Sequence, residues 1–214
     1  MKKLIIIVLS FGLMSFLISS CEKSSVNPND PETTKNYLPM SIGNYWIYQT
    51  YLIDTLGIDQ PVEMLDSISI TRDTIINGNK FFVFEGDTYF NHDYLRLQRD
   101  SSGYIIDESG KIYFSEDNFI DTLYYYEHVQ NDNIVYMTYN IMQENEVVLT
   151  VPSGTYSTLN NLGTVYVPLA DITKTFGSYY ANNVGQVLSE GVFVFSNSGR
   201  FESRLVRYHV NVDN

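Results

Sequence analysis

Turn signals arrive at short intervals along this chain, and that rhythm limits what it can fold into more than any other feature. Gly43-Asn44, Asn77-Gly78-Asn79, Ser101-Ser102-Gly103, Glu108-Ser109-Gly110, Ser153-Gly154 and Asn197-Ser198-Gly199 punctuate segments rich in Tyr, Phe, Ile, Val and Thr. Residues that suit a pleated, half-buried surface, set between residues that tolerate left-handed backbone, make the pattern of strands joined by hairpins. Asn77-Gly78 between two such runs is the strongest short-range hairpin signal available. Arg99-Asp100-Ser101-Ser102-Gly103-Tyr104 and Asp107-Glu108-Ser109-Gly110-Lys111-Ile112 read as two further hairpin turns in succession.

The segments between the turns alternate. Ser67-Ile68-Ser69-Ile70-Thr71 places isoleucines on one face and hydroxyls on the other, and Val206, Tyr208, Val210 and Val212 alternate with Arg207, His209 and Asn211. A period of two is the strand signature, and no apolar stripe at helical spacing interrupts it. Tyr45-Trp46-Ile47-Tyr48 and Leu123-Tyr124-Tyr125-Tyr126 are aromatic or apolar on both faces, so each lies between two layers or carries a ligand or partner on one face. Aromatic cross-strand pairing within the sheet is the simpler reading of these tyrosines. The expected fold is all-β: a strongly curved antiparallel sheet, either a half-barrel or a sandwich-like meander.

The amino terminus follows different rules. Met1-Lys2-Lys3 is basic, Leu4 to Ile18 is an apolar run, and Ile18-Ser19-Ser20-Cys21 closes it. These are the three parts of a secretory signal peptide, helical during export and too short to serve as a membrane span of roughly 20 residues. The closing residues resemble the lipobox of bacterial lipoproteins, which implies cleavage between Ser20 and Cys21 and attachment of lipid, palmitate included, to Cys21. Two or more acyl chains anchor stably where one does not. Cys21 is the only cysteine, so the exported domain must hold together without a disulfide.

Three segments follow from this: signal peptide 1–20, a lipidated flexible tether 21–36, and a single all-β domain 37–214. The tether is nearly devoid of apolar residues and cannot offset the entropy of ordering. Loss of Lys2 and Lys3 with the signal takes the formal net charge from −12 to −14. So acidic a domain, lacking any basic run, is a poor match for nucleic acid or anionic head groups. The expected location is the cell envelope, in the outer membrane. Glu22-Lys23-Ser24-Ser25 does not match the acidic run of surface-export signals, so either membrane face stays open.

Three blocks carry a family resemblance. Leu38-Pro39-Met40-Ser41-Ile42-Gly43-Asn44-Tyr45-Trp46-Ile47-Tyr48 resembles a "P-L-x-x-G-N-x-W-x-Y" opening, and Val151-Pro152-Ser153-Gly154-Thr155-Tyr156 a "V-P-x-G-T-aromatic" strand start. Tyr179-Tyr180-Ala181-Asn182-Asn183-Val184-Gly185-Gln186-Val187 resembles a "Y-A-x-x-V-G-x-V" segment, with Asn182 and Asn183 where a basic residue and a glycine are usual. Together they resemble a group of Bacteroides-lineage lipoproteins with no agreed activity. The resemblance implies a curved antiparallel sheet similar to the half-barrels of envelope lipoprotein carriers, and no functional residue comes with it.

No catalytic residue, cofactor or metal site emerges. His92, His128 and His209 are scattered, with His209 on the polar side of its strand and His92 in a turn-like setting. No nucleophile elbow or phosphate-binding glycine loop occurs. Glu116-Asp117-Asn118 with Asp121 lacks the spacing of a calcium loop. One pattern does recur: Asp54-Thr55-Leu56, Asp66-Ser67-Ile68, Asp73-Thr74-Ile75 and Asp121-Thr122-Leu123. About one such tripeptide would be expected from composition alone. The pattern resembles an O-glycosylation acceptor of the same lineage, making Thr55, Ser67, Thr74 and Thr122 candidate acceptors; a turn leading into a strand gives the same residues. The function expected is that of a non-enzymatic module binding a ligand or protein partner. Alternatives are a glycan hydrolase with a carboxylate pair and a structural envelope component.

Overall fold

The computed structural model describes residues 35–196 and 199–211. The signal peptide, Cys21 and the tether as far as residue 34 lie outside the described residues. The described chain forms one antiparallel sheet of twelve strands. They are β1 (Tyr45–Ile53), β2 (Asp59–Ile76), β3 (Asn79–Thr88), β4 (Asn91–Ser101), β5 (Tyr104–Asp107) and β6 (Ile112–Ser115), followed by β7 (Tyr124–Gln130), β8 (Asn133–Val151), β9 (Gly154–Val167), β10 (Ile172–Ala181), β11 (Gly185–Val192) and β12 (Arg200–His209).

Each strand pairs with its neighbour in sequence, except that β6 does not pair with β7, and β1 pairs with β12. The sheet order therefore begins at β6 and ends at β7, although residues 116–123 join those two directly. A connection that short spans at most about 28 Å, so the sheet must curl until its edges face each other. The result is a nearly closed barrel, as the expected strong curvature anticipates. Across the seam Asn161 on β9 donates its side-chain amide to the Tyr113 carbonyl on β6 at 2.7 Å.

Local sequence explains the curl. Asn77 and Gly78 both have positive φ, 50° and 79°, as do Ser102 and Gly103, at 55° and 83°. Such two-residue turns match the twist of the flanking strands. Register shifts interrupt eight of the eleven ladders, at Ile47/Tyr48 against β12 and Ile70/Arg72 against β3 among others, and bulges of this kind bend the strands that carry them.

One end of the barrel is filled. Trp46, Ile70, Phe84, Val187 and Leu205 pack there, and Tyr37, Phe114, Leu159 and Tyr180 form a second cluster alongside. Leu38 and Met40 touch both clusters, so the segment before β1 is a plug inside the sheet. Asn44, fully buried, donates to the Pro39 carbonyl at 3.0 Å and accepts from the Asn211 amide at 2.8 Å. Trp46 Nε1 donates to the Val184 carbonyl at 2.6 Å. Val151 joins the same cluster as Trp46 and Val184, so the three sequence blocks described above meet in one core. The plug begins earlier than the expected domain start at residue 37. Asn36 donates its amide to Asn182 Oδ1 and accepts from the Asn183 amide, both at 2.7 Å.

Candidate functional site: a polar cavity inside the barrel

Beyond the plug the barrel interior is open, leaving a cavity of about 500 Å³. That volume lies within the range of small-molecule sites. Two glycines keep it clear. Gly163 faces Phe176 across the β9–β10 ladder, and Gly191 faces Phe201 across β11–β12. A Cβ at residue 163 would sit 2.3 Å from the Phe176 ring, and one at residue 191 only 1.9 Å from the Phe201 ring. Both rings lie over backbone that has no side chain, and both line the cavity.

Strand β4 supplies the chemistry. Tyr94 and Arg96 line the cavity, whereas Leu95 between them is 57% exposed on the outer face. The Arg96 guanidinium lies 4.6 Å from the centre of the Tyr113 ring and 5.3 Å from that of Tyr94. Lys111, in the turn before β6, places its ammonium 4.1 Å from the Tyr124 ring centre and 4.9 Å from that of Tyr113. These are cation–π distances. Neither cation forms an ion pair or a side-chain hydrogen bond among the described residues.

The carboxylates at hand are already engaged. Asp107 Oδ1 accepts from the Ser109 amide, the Ser109 hydroxyl and the Lys111 amide at 2.7–3.0 Å, and Oδ2 accepts from the Tyr113 hydroxyl at 3.0 Å. Burial pushes this carboxyl up, yet those bonds outweigh it and hold it below the ordinary carboxylate range. Asp66 is the single carboxylate lining the cavity among the described residues; its Oδ2 accepts from Thr50 Oγ1 at 2.7 Å and its Oδ1 from the Tyr89 amide at 2.6 Å. The paired carboxylates of a glycan hydrolase therefore have no counterpart in the lining.

Burial lowers the Lys111 ammonium, Arg96 repels it further, and Asp107 offsets part of this. Burial likewise weakens Arg96, but Tyr94, Tyr113, Tyr180 and Asp107 outweigh it and the guanidinium stays firmly cationic. Burial pushes the Tyr180 hydroxyl up to about 12 and that of Tyr48 well above its usual value. These phenols are neutral donors at physiological pH. Tyr48 donates to the Gln186 carbonyl at 2.9 Å, while the hydroxyls of Tyr94, Tyr124 and Tyr180 make no hydrogen bond among the described residues. Asn161 contributes an unpaired buried acceptor, its Oδ1.

Aromatic rings continue outward from the cavity. Phe90, in the β3–β4 turn, is 53% exposed and lies 4.3 Å from Phe201 between ring centres. Along β7 and β8, Tyr124 stacks on Tyr126 at 6.5 Å, and Tyr136 lies 6.3 Å from Tyr126 and 5.0 Å from His128.

The residues singled out from sequence lie elsewhere. Thr55, Ser67 and Thr122 are exposed and Thr74 is half-buried, and none lines the cavity. The aspartates preceding them have structural work: Asp54 accepts from the Leu56 and Ile58 amides at 2.8 and 2.9 Å, and Asp73 pairs with Lys80 at 2.7 Å. His92 lies at the start of β4, 2.8 Å from Asp87, His128 stacks on Tyr136, and His209 stacks on Tyr45 at 5.9 Å. In the 116–123 loop Asn118 donates to Asp121 Oδ2 at 3.1 Å and to the Tyr104 hydroxyl at 3.2 Å. No cluster of metal-ligating side chains occurs among the described residues. Arg96 and Lys111 were not expected from sequence. The available signal was Tyr94-Leu95-Arg96-Leu97-Gln98, an alternation whose polar side turns inward.

No family model matches the chain, and no curated protein matches it by sequence. Two solved structures are similar in outline. One is a candidate lipoprotein from Parabacteroides distasonis, 13% identical, with a TM-score of 0.46 over 82% of this chain and 99% of that one. The other is a candidate exported protein with a YmcC-like fold from Bacteroides fragilis, 12% identical, with a TM-score of 0.44 and the same coverage.

Proposed function

We propose that this protein is a lipid-anchored lipoprotein of the bacterial cell envelope that binds a small ligand inside its barrel without transforming it. The observation that carries the binding is the cavity itself, about 500 Å³ and walled by neutral phenols and two cations without carboxylate partners. A barrel that needed only stability would fill this space, because empty interior forfeits packing. Here Gly163 and Gly191 accommodate rings that fold back against the wall.

Anchoring rests on the lipobox-like Ile18-Ser19-Ser20-Cys21 and the basic, apolar segment before it. Outer-membrane residence, membership of the Bacteroides-lineage lipoprotein group, and glycans on Thr55, Ser67, Thr74 or Thr122 belong to the same reading. The exposure of three of those four hydroxyl residues supports access for a transferase.

Native mass spectrometry of the protein extracted from its own membranes tests the binding, with a co-purifying small molecule as the expected result. Intact mass of the same sample reads lipid and glycan together, and Cys21→Ala should abolish the lipid increment. Repeated recovery of the domain with an empty cavity would overturn the ligand-binding reading.

A further inference from the structure

We infer that the ligand is an anionic amphiphile, held by a carboxylate or phosphate group at Arg96 and Lys111 with its apolar body among the rings of Phe90, Phe176 and Phe201. This rests on the ligand-binding reading above and specifies the chemistry of that site.

The argument begins with charge. The chain carries a formal net charge of −12, yet the cavity holds Arg96 and Lys111 against the single carboxylate of Asp66. Asp66 is occupied on both oxygens and the nearby Asp107 is saturated by its own turn and Tyr113. Two cations drawn out of water lose hydration, and in folded proteins that loss is ordinarily offset by a paired anion. Aromatic faces supply part of the compensation here, and they leave every guanidinium and ammonium hydrogen free to donate. The unbonded hydroxyls of Tyr94, Tyr124 and Tyr180 add donors. A site rich in donors, with two fixed positive charges, matches the oxygens of a carboxylate or phosphate.

The rest of the lining fixes the other half of the ligand. Phe176 and Phe201 lie against Gly163 and Gly191, and Phe90 leads from Phe201 to the exposed β3–β4 turn. An inorganic anion would leave the cavity-facing sides of those rings uncovered, and a neutral lipid would leave two cations unpaired. A strongly acidic exterior also disfavours anionic membrane surfaces, so selectivity for the anion resides in the interior.

The test uses the lipid-free domain of residues 22–214 and a dansyl fatty acid, its methyl ester, dodecyl phosphate and inorganic phosphate as probes. The acid should bind with a rise in dansyl emission, the ester about tenfold more weakly, and dodecyl phosphate should displace the acid. Inorganic phosphate should fail to displace it at concentrations where dodecyl phosphate succeeds. Arg96→Met should bring acid and ester to equal affinity, and Arg96→Lys should restore part of the difference. Arg207→Met, on the outer face, should leave both unchanged. Should Arg96→Met fail to fold, the comparison of acid with ester on the natural sequence still decides the matter. Equal binding of acid and ester to the natural sequence overturns the anionic preference and spares the ligand-binding reading. Binding of neither probe fells both. Displacement by inorganic phosphate as effective as by dodecyl phosphate overturns the amphiphile, leaving a simple anion site.

Discussion

Phe201 packs against Gly191 directly across the β11–β12 ladder, so close that a single methyl at residue 191 would come within 1.9 Å of its ring. Ring and glycine act as one unit: the missing side chain is what lets the aromatic wall stay thin. Gly191→Ala must displace the Phe201 ring from its place in the cavity wall, and overpacking of this kind costs about 1–3 kcal/mol. The expected outcome is a lower urea midpoint together with weaker binding of the dansyl fatty acid. A variant with unchanged midpoint and unchanged binding would mean that the ring moves freely.

Trp46 closes the filled end of the barrel. It is 2% exposed, and its Nε1 donates to the Val184 carbonyl at 2.6 Å. Trp46→Phe removes volume and leaves that carbonyl buried without its donor. A loss of about 2–4 kcal/mol in equilibrium urea unfolding follows, with the slope unchanged.

Asp107 makes stability sensitive to acid. Its carboxyl is held below the ordinary range because bonds from Ser109, Lys111 and Tyr113 outweigh the burial that pushes it up. A depressed folded value means that the stabilisation is present above the unfolded value near 4 and is lost as pH falls through the folded one. Asp107→Asn should therefore be less stable than the natural sequence at neutral pH, with the two converging in acid. Urea midpoints at successive pH values read this directly.

The alkaline side depends on Tyr180. Burial raises its hydroxyl from the ordinary value of 10.0 to about 12. A raised folded value gives stability that is complete below pH 10 and disappears as pH climbs towards 12. The loss amounts to about 2–3 kcal/mol. Tyr180→Phe should make the fall in unfolding free energy across that window shallower, the remainder coming from other buried phenols such as Tyr48 and Tyr94.

The architecture was legible in the sequence where local chemistry decides it. Asn77-Gly78 and Ser102-Gly103 are turns because their backbone must go left-handed, and both were readable as such. The turn at Asn131-Asp132 was not, although both residues have positive φ, 50° and 61°, because no glycine marks it. The alternation at the end of the chain was half right. Leu205 pairs with Tyr48 and Arg207 with Ile47, so Val206 is the extra residue of a bulge and the inward set shifts from Leu205 to Tyr208. The site was hidden for a related reason. Leucine on β4 suggests an inward face, but Leu95 is outside and Arg96 inside, an inversion fixed by what the cavity contains rather than by any local preference. The approach of β6 to β9 brings together Asn161 and Tyr113, residues far apart in the chain and marked by no local signal.

The plug gives the domain a mechanical character. Tension arriving along the chain from its amino-terminal side first meets Asn36, clasped on both its amide and its carbonyl by Asn182 and Asn183. Behind that clasp stand Tyr37 and Pro39, wedged within the sheet, and the Asn44 bond to the Pro39 carbonyl. A pull is thus delivered into the two packed clusters of the core instead of peeling an edge strand. A pull from that side would have to draw the stopper out of its two clusters before it reached the first rungs of β1, so resistance to extraction resides in side-chain packing.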